Sequence, residues 1–156
     1  FNAPPLDISV MAEIPAGNGL ASSSAFSVGL INLILASLGE RTTQARLAEL
    51  AIRLELDILK EPIGIQDQLG SAFGGVNIHK FSTGRSVASR QLFSESRRLP
   101  FDLLLSKVGV SSRHASSFTS AQRDFASENP KAIRALCELR DLTLEAEVAI
   151  EGRPSA

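Results

Sequence analysis

The 156-residue chain contains a single cysteine, Cys137. That excludes an internal disulfide framework and fits a reducing compartment. Cys137 lies in a helical pattern, Ala132-Ile133-Arg134-Ala135-Leu136-Cys137, and is expected as a buried small apolar residue. Only two histidines occur, His79 and His114. So far apart and without cysteine neighbours, they make a poor zinc site. His79 falls in a strand pattern and reads as a half-exposed structural residue. The formal net charge is −1 and the pI about 6.2. No basic field is on offer to nucleic acid or to an anionic membrane, and Arg97-Arg98 is a pair rather than a patch. No apolar run is long enough to span a bilayer; residues 26–38 come nearest and are interrupted by Ser27, Asn32 and Ser37. Signal-peptide character, repeats and low-complexity segments are lacking too. With 44% hydrophobic and 21% charged residues, the composition is that of a soluble globular protein, with a cytoplasmic location expected.

Against these absences, the organisation is legible. Residues 6–12 alternate apolar and polar and read as a strand. Residues 15–19 break it. A helix is expected over 22–38, ending at Gly39. A second spans about 43–59, with Leu47, Leu50, Ala51, Leu54 and Ile58 recurring every three or four residues. Pro62 and Gly64 punctuate, and a short helix over 65–73 follows. Gly74-Gly75 turns into a strand over 76–81, and an edge strand is expected near 86–92. Residues 101–110 read as strand and loop. Residues 115–151 look helical, with a break at Asn129-Pro130. The class is α+β, with a domain boundary placed between Gln91 and Pro100: residues 1–95 before it, 96–156 after.

The most informative string is Pro15-Ala16-Gly17-Asn18-Gly19-Leu20-Ala21-Ser22-Ser23-Ser24-Ala25, between the expected strand and helix. Its two glycines permit a tight turn and a close backbone approach to a ligand. Consecutive N–H groups then point at one anion, joined by the unpaired N–H groups and positive end of the following helix. The serines add hydroxyls, one of them placed to reach a magnesium ion that bridges phosphates. No lysine follows the second glycine, so this is not a Walker-type loop.

The string resembles the second signature motif of the GHMP kinases, P-x-x-x-G-L-x-S-S-[AS], matched by Pro15, Gly19, Leu20, Ser22, Ser23 and Ser24; many members have glycine where Ala21 stands. The resemblance implies ATP as phosphate donor, with magnesium, and a kinase fold whose N-terminal domain is like the second domain of ribosomal protein S5, followed by the start of an α+β C-terminal domain. Gly64-Ile65-Gln66-Asp67-Gln68 matches the G-x-x-D-Q segment that carries the catalytic aspartate of several GHMP sugar kinases. It implies that Asp67 accepts or orients the proton of a substrate hydroxyl. From pattern alone, Asp67 is equally a helix N-terminal acid. Glu55, twelve residues earlier, stands where the superfamily often places a magnesium-binding glutamate, with Ser22 as its expected hydroxyl partner and Ser23 next; Asp57 and Glu61 lie close by.

Further segments, 13–17, 59–68 and 72–77 together with Gly109-x-x-x-Arg113-x-Ala115-Ser116, resemble the D-glycero-D-manno-heptose 7-phosphate kinases. The implied reaction phosphorylates the anomeric hydroxyl of a heptose phosphate for nucleotide-activated heptose synthesis, with Gln68 and Arg113 expected near the substrate. A capped helix start is the competing reading of the Arg113 segment. Galactokinase- or fucokinase-like activity, or nucleotide binding without catalysis, are the alternatives. The first superfamily motif and the third, a glycine-rich C-terminal loop, have no counterpart here, and the chain begins with Phe1. It is expected to be part of a kinase, weakly active or inactive alone, with exposed apolar sheet surface that favours homo-oligomers.

Overall fold

A computed structural model of the chain describes residues 5–13, 19–82, 86–93, 104, 106 and 129–151. The elements are α1 (Ser22–Ser37), α2 (Gln44–Ile52), a π-helical turn (Arg53–Ile58) continuing α2, α3 (Gln66–Phe73), β1 (Val76–Phe81), β2 (Val87–Phe93) and α4 (Pro130–Glu151). The chain divides into two compact units, with α1 to α3 in the first and β1, β2 and α4 in the second. The units part after Gly74. The expected boundary between Gln91 and Pro100 falls largely outside the described residues.

In the first unit, three helices pack on one another. Val28 and Leu35 of α1, Leu47, Ala48 and Ala51 of α2, and Leu69 and Ala72 of α3 form the buried apolar seam. Small residues at 48, 51 and 72 let the helices approach closely. The buried stripe of α1 begins with Ser24 and Ser27 and turns apolar only at Val28 and Leu35. Thr43 caps α2, its hydroxyl accepting from the Arg46 N–H at 3.2 Å. Gln44 Nε2 donates to the Phe73 carbonyl at 3.0 Å, tying the start of α2 to the end of α3.

Helix α1 ends as expected at Gly39. Its φ is +74°, the Gly39 N–H reaches Ala36 O at 3.0 Å and the Glu40 N–H reaches Leu35 O at 2.9 Å. This pair of bonds closes the helix in a Schellman arrangement.

In the second unit β1 and β2 pair antiparallel, with an irregularity between Val76 and Asn77. His79 and Ser89 face each other across the ladder, Nδ1 to Oγ 2.8 Å. His79 is half-buried, as its strand pattern implied, and burial lowers its pKa. Glu147 of α4 pairs with Arg90 and, at 3.5 Å, with Lys80. Pro130 opens α4, where its missing N–H costs nothing, and Asn129 Oδ1 accepts from the Lys131 N–H at 3.0 Å. The break expected at Asn129-Pro130 is therefore a helix start.

Three expectations meet a different outcome. Residues 6–12 form no strand, and Leu6, Ile8 and Val10 are exposed. A strand needs a neighbour to take up its N–H and C=O groups, and no described strand lies beside this segment. Cys137 is exposed rather than buried. Helical periodicity says which residues share a face but not what covers it, and of the described side chains on α4 only Ala132 is fully buried. The widening of α2 into a π turn has no signal in the apolar spacing, because its residues still read as helix. The α+β class holds, with three helices and a two-stranded antiparallel sheet described up to Phe93. Of the strand and helix expected over 101–128, only residues 104 and 106 are described. No described helix is long and apolar enough to cross a membrane.

Gly39 tests the helix ending. A Cβ there meets nothing within 4 Å, so an alanine is opposed by backbone conformation alone. Gly39→Ala is expected to lower stability by about 1 kcal/mol in urea unfolding, the cost of a left-handed L-residue.

Candidate active site

The loop reaches the described structure at Gly19, with Pro15, Ala16, Gly17 and Asn18 outside it. Gly19 has φ +78° and Ala21 φ +56°. The alanine therefore occupies the left-handed region despite its methyl group. Ala21 precedes α1 without a side-chain cap, and its carbonyl accepts from the Ala25 N–H at 2.9 Å. The N–H groups of Ser22, Ser23 and Ser24 precede the first intrahelical donor and are left for something outside the helix. No acidic residue stands in this first turn to offset the helix dipole. The local chemistry is that of an anion cradle.

Beneath this helix start lies Glu55, only 1% exposed and carried by the π turn. Its carboxylate is held by neutral donors from two neighbouring helices. Ser27 Oγ donates to Oε1 at 2.6 Å and Ser24 Oγ to Oε2 at 2.9 Å. Gln68 Nε2 donates to Oε2 from α3. Ser23 Oγ approaches Oε1 at 3.4 Å, beyond the usual reach of an O–H···O bond. Among the described residues no lysine or arginine pairs with Glu55. A buried carboxylate is tolerated when hydrogen bonds replace its water, and these donors do that.

Asp67 stands at the start of α3, next in sequence to Gln68 and half-buried. Its carboxyl pKa is raised, first by burial and then by the negative charge of Glu55. Gln68, expected near the substrate, is fully buried, with its amide N–H committed to Glu55. It braces the carboxylate from within the core. Ser24 likewise turns its hydroxyl inward, leaving its backbone N–H for the cradle. Ser23 is the loop hydroxyl at the edge of Glu55 without a tight hold on it, whereas no bond joins Ser22 to Glu55 in the described structure. Arg113 and His114 lie outside the described residues.

Sequence reading missed Ser27. Its signal was present in the serine spacing: three residues after Ser24, it falls on the same helix face. Within residues 26–38 it reads as an interruption of an apolar run.

The residues suit a nucleotide phosphate, because N–H groups and a helix terminus face where an anion would lie. They also suit magnesium by donor type. Among the described residues no group of three or more His, Cys, Asp or Glu could hold a metal. Glu55 and Ser23 offer one carboxylate and one hydroxyl, oxygen donors of the type magnesium takes beside phosphates and water.

Residues 1–75 match the model of the GHMP kinases N terminal domain. Over this stretch the chain is similar to the GHMP kinase N-terminal domain. It is also 33% identical over 94 residues to a D-glycero-alpha-D-manno-heptose 7-phosphate kinase of Campylobacter jejuni, covering 59% of this chain and 28% of the relative. Over 74 residues it is 32% identical to a galactokinase of Thermotoga neapolitana, covering 47% of this chain and 21% of that protein. The matched part thus spans about a quarter of the curated relatives. No solved structure gives a significant match. The match ends where the described part of the first compact unit does, at Gly74-Gly75.

The raised Asp67 carboxyl has a consequence for stability. Its folded pKa lies above its unfolded value, so its contribution to stability is fully present below about pH 3.9 and is lost as pH rises through the folded value. Asp67→Asn, which cannot ionise, is expected to melt higher than the parent at pH 7. The gain should shrink towards zero as the pH falls below 4, as followed by thermal melts across the range.

Proposed function

We propose that this chain is the nucleotide-binding part of an ATP-dependent sugar kinase, and that its acceptor is the anomeric hydroxyl of D-glycero-D-manno-heptose 7-phosphate. The observation that carries the reading is the meeting of the uncapped α1 terminus with buried Glu55, whose charge in turn acts on half-buried Asp67, in a stretch similar to the GHMP kinase N-terminal domain. The name of the Campylobacter jejuni relative supports the heptose. Galactose is the second acceptor to test, because the Thermotoga neapolitana relative matches at nearly the same identity.

In this reading, residues 15–24 cradle the phosphates of ATP through backbone N–H groups. Asp67 takes the proton of the sugar hydroxyl as its oxygen bonds to the γ-phosphorus and the bond to the ADP oxygen breaks. The raised pKa makes Asp67 a stronger base than an ordinary aspartate. Glu55 and Ser23, with Ser22 adjacent, hold magnesium, which neutralises phosphate charge when bound. Arg113 faces the sugar phosphate, a role suited to a planar, bidentate cation. Residues 96–156 begin the second kinase domain, and the enzyme works in the cytoplasm.

Three measurements test the reading. Magnesium–ATP is expected to raise the melting temperature of the chain, and a chain that neither binds it nor gains stability refutes the nucleotide site. Phosphoryl transfer by the whole gene product to a panel of sugars with and without a 7-phosphate decides the acceptor. Asp67→Asn is expected to lower turnover by about 100- to 10,000-fold with nucleotide affinity retained; unchanged turnover removes the base.

A further inference from the structure

No contact with phosphate or sugar falls to Ser27. It sits one turn inside α1, buried, with its hydroxyl on Glu55 Oε1 at 2.6 Å. The same oxygen is approached at 3.4 Å by Ser23 from the exposed start of the helix. Oε2 is occupied from two sides, by Ser24 of α1 and Gln68 of α3. The carboxylate thus has three close donors and one distant one, and the distant one lies on the side of the anion cradle. A carboxylate free to rotate would present either oxygen in any direction. Held by Ser27, Ser24 and Gln68, it presents one lone pair of Oε1 towards Ser23.

We propose that Ser27 is a positioning residue for a divalent cation: it fixes Glu55 so that the Oε1 lone pair facing Ser23 is the one left for the metal. This rests on the reading of the cradle as a magnesium–nucleotide site. Partners that orient a metal ligand matter almost as much as the ligand, and their loss commonly weakens metal affinity 10- to 100-fold. Ser27 is well placed for such a role because the metal does not touch it. Its removal leaves the backbone N–H groups at the start of α1 in place and takes from Glu55 one of its three close donors, and with it the aim of Oε1.

The test is calorimetric titration of ATP into the full chain at graded magnesium concentrations and again in EDTA, for the parent, Ser27→Ala and Ser27→Thr. Ser27→Ala is expected to raise the half-saturating magnesium concentration about tenfold while ATP affinity in EDTA stays within twofold. Ser27→Thr, which keeps the hydroxyl, is expected to restore the parent's magnesium dependence. A Ser27→Ala variant with the parent's magnesium dependence overturns the proposal alone, leaving the nucleotide site standing. Equal loss with and without magnesium also overturns it, because that marks a purely structural role. A parent whose ATP binding is absent or indifferent to magnesium removes the underlying reading and the proposal with it. If Ser27→Ala does not fold, Ser27→Cys is read in its place. Failure of both to fold overturns the proposal by making the hydroxyl a requirement of folding.

Discussion

The first compact unit is organised around one buried negative charge. Glu55 lies almost out of water, and three side-chain donors close to it come from two helices that do not carry it. Removing a carboxylate from water is costly, and the cost is offset only if every donor arrives in place. The bonds to Glu55 therefore constrain α1, the π turn and α3 together, beyond what apolar packing asks of them. The seam of Val28, Leu35, Leu47, Ala51 and Leu69 brings the helices together but is indifferent to small slides along their axes. Directional hydrogen bonds at one end of that seam are not indifferent.

The same arrangement accounts for the state of Asp67. Its neighbour Gln68 is anchored on Glu55, so the start of α3 is held near a negative charge. Glu55 and partial burial together raise the Asp67 carboxyl. In the proposed role, stability and chemistry pull in opposite directions there: the charged form is the one that would accept a proton, and it is the form the fold disfavours.

Much of this unit was legible in the sequence because its signals are local. Gly39 marks a helix end through φ alone, Thr43 marks a start through its hydroxyl, and the apolar spacing of Leu47 and Ala51 marks a buried face. Motif spacing singles out Asp67 and Glu55, and the fold brings the two carboxyls close enough for the charge of Glu55 to act on Asp67. What escaped depends on contacts between elements. Whether 6–12 pairs as a strand is decided by a neighbour, and so is whether Cys137 is covered. Gln68 follows Asp67 in sequence, yet adjacent residues on a helix point about 100° apart, and that angle leaves one half-buried and the other in the core. Ser27 looked like noise in an apolar run because a buried polar residue is meaningful only once its partner is known.

The π turn at Arg53–Ile58 is what lets one continuous helix serve two environments. Leu47, Ala51 and Glu55 are spaced by four residues, and on a regular α-helix that spacing precesses around the axis by about 40° at each step. A stretch bonded five residues apart is wound more loosely and takes up the drift, as the Leu59 N–H reaching Leu54 O at 2.9 Å displays. The acid stays in line with the apolar seam although its turn belongs to a different helical geometry. The turn works as a vernier between packing and chemistry, and the residue count between Ala51 and Glu55 is consequently harder to change than the identity of the residues that fill it.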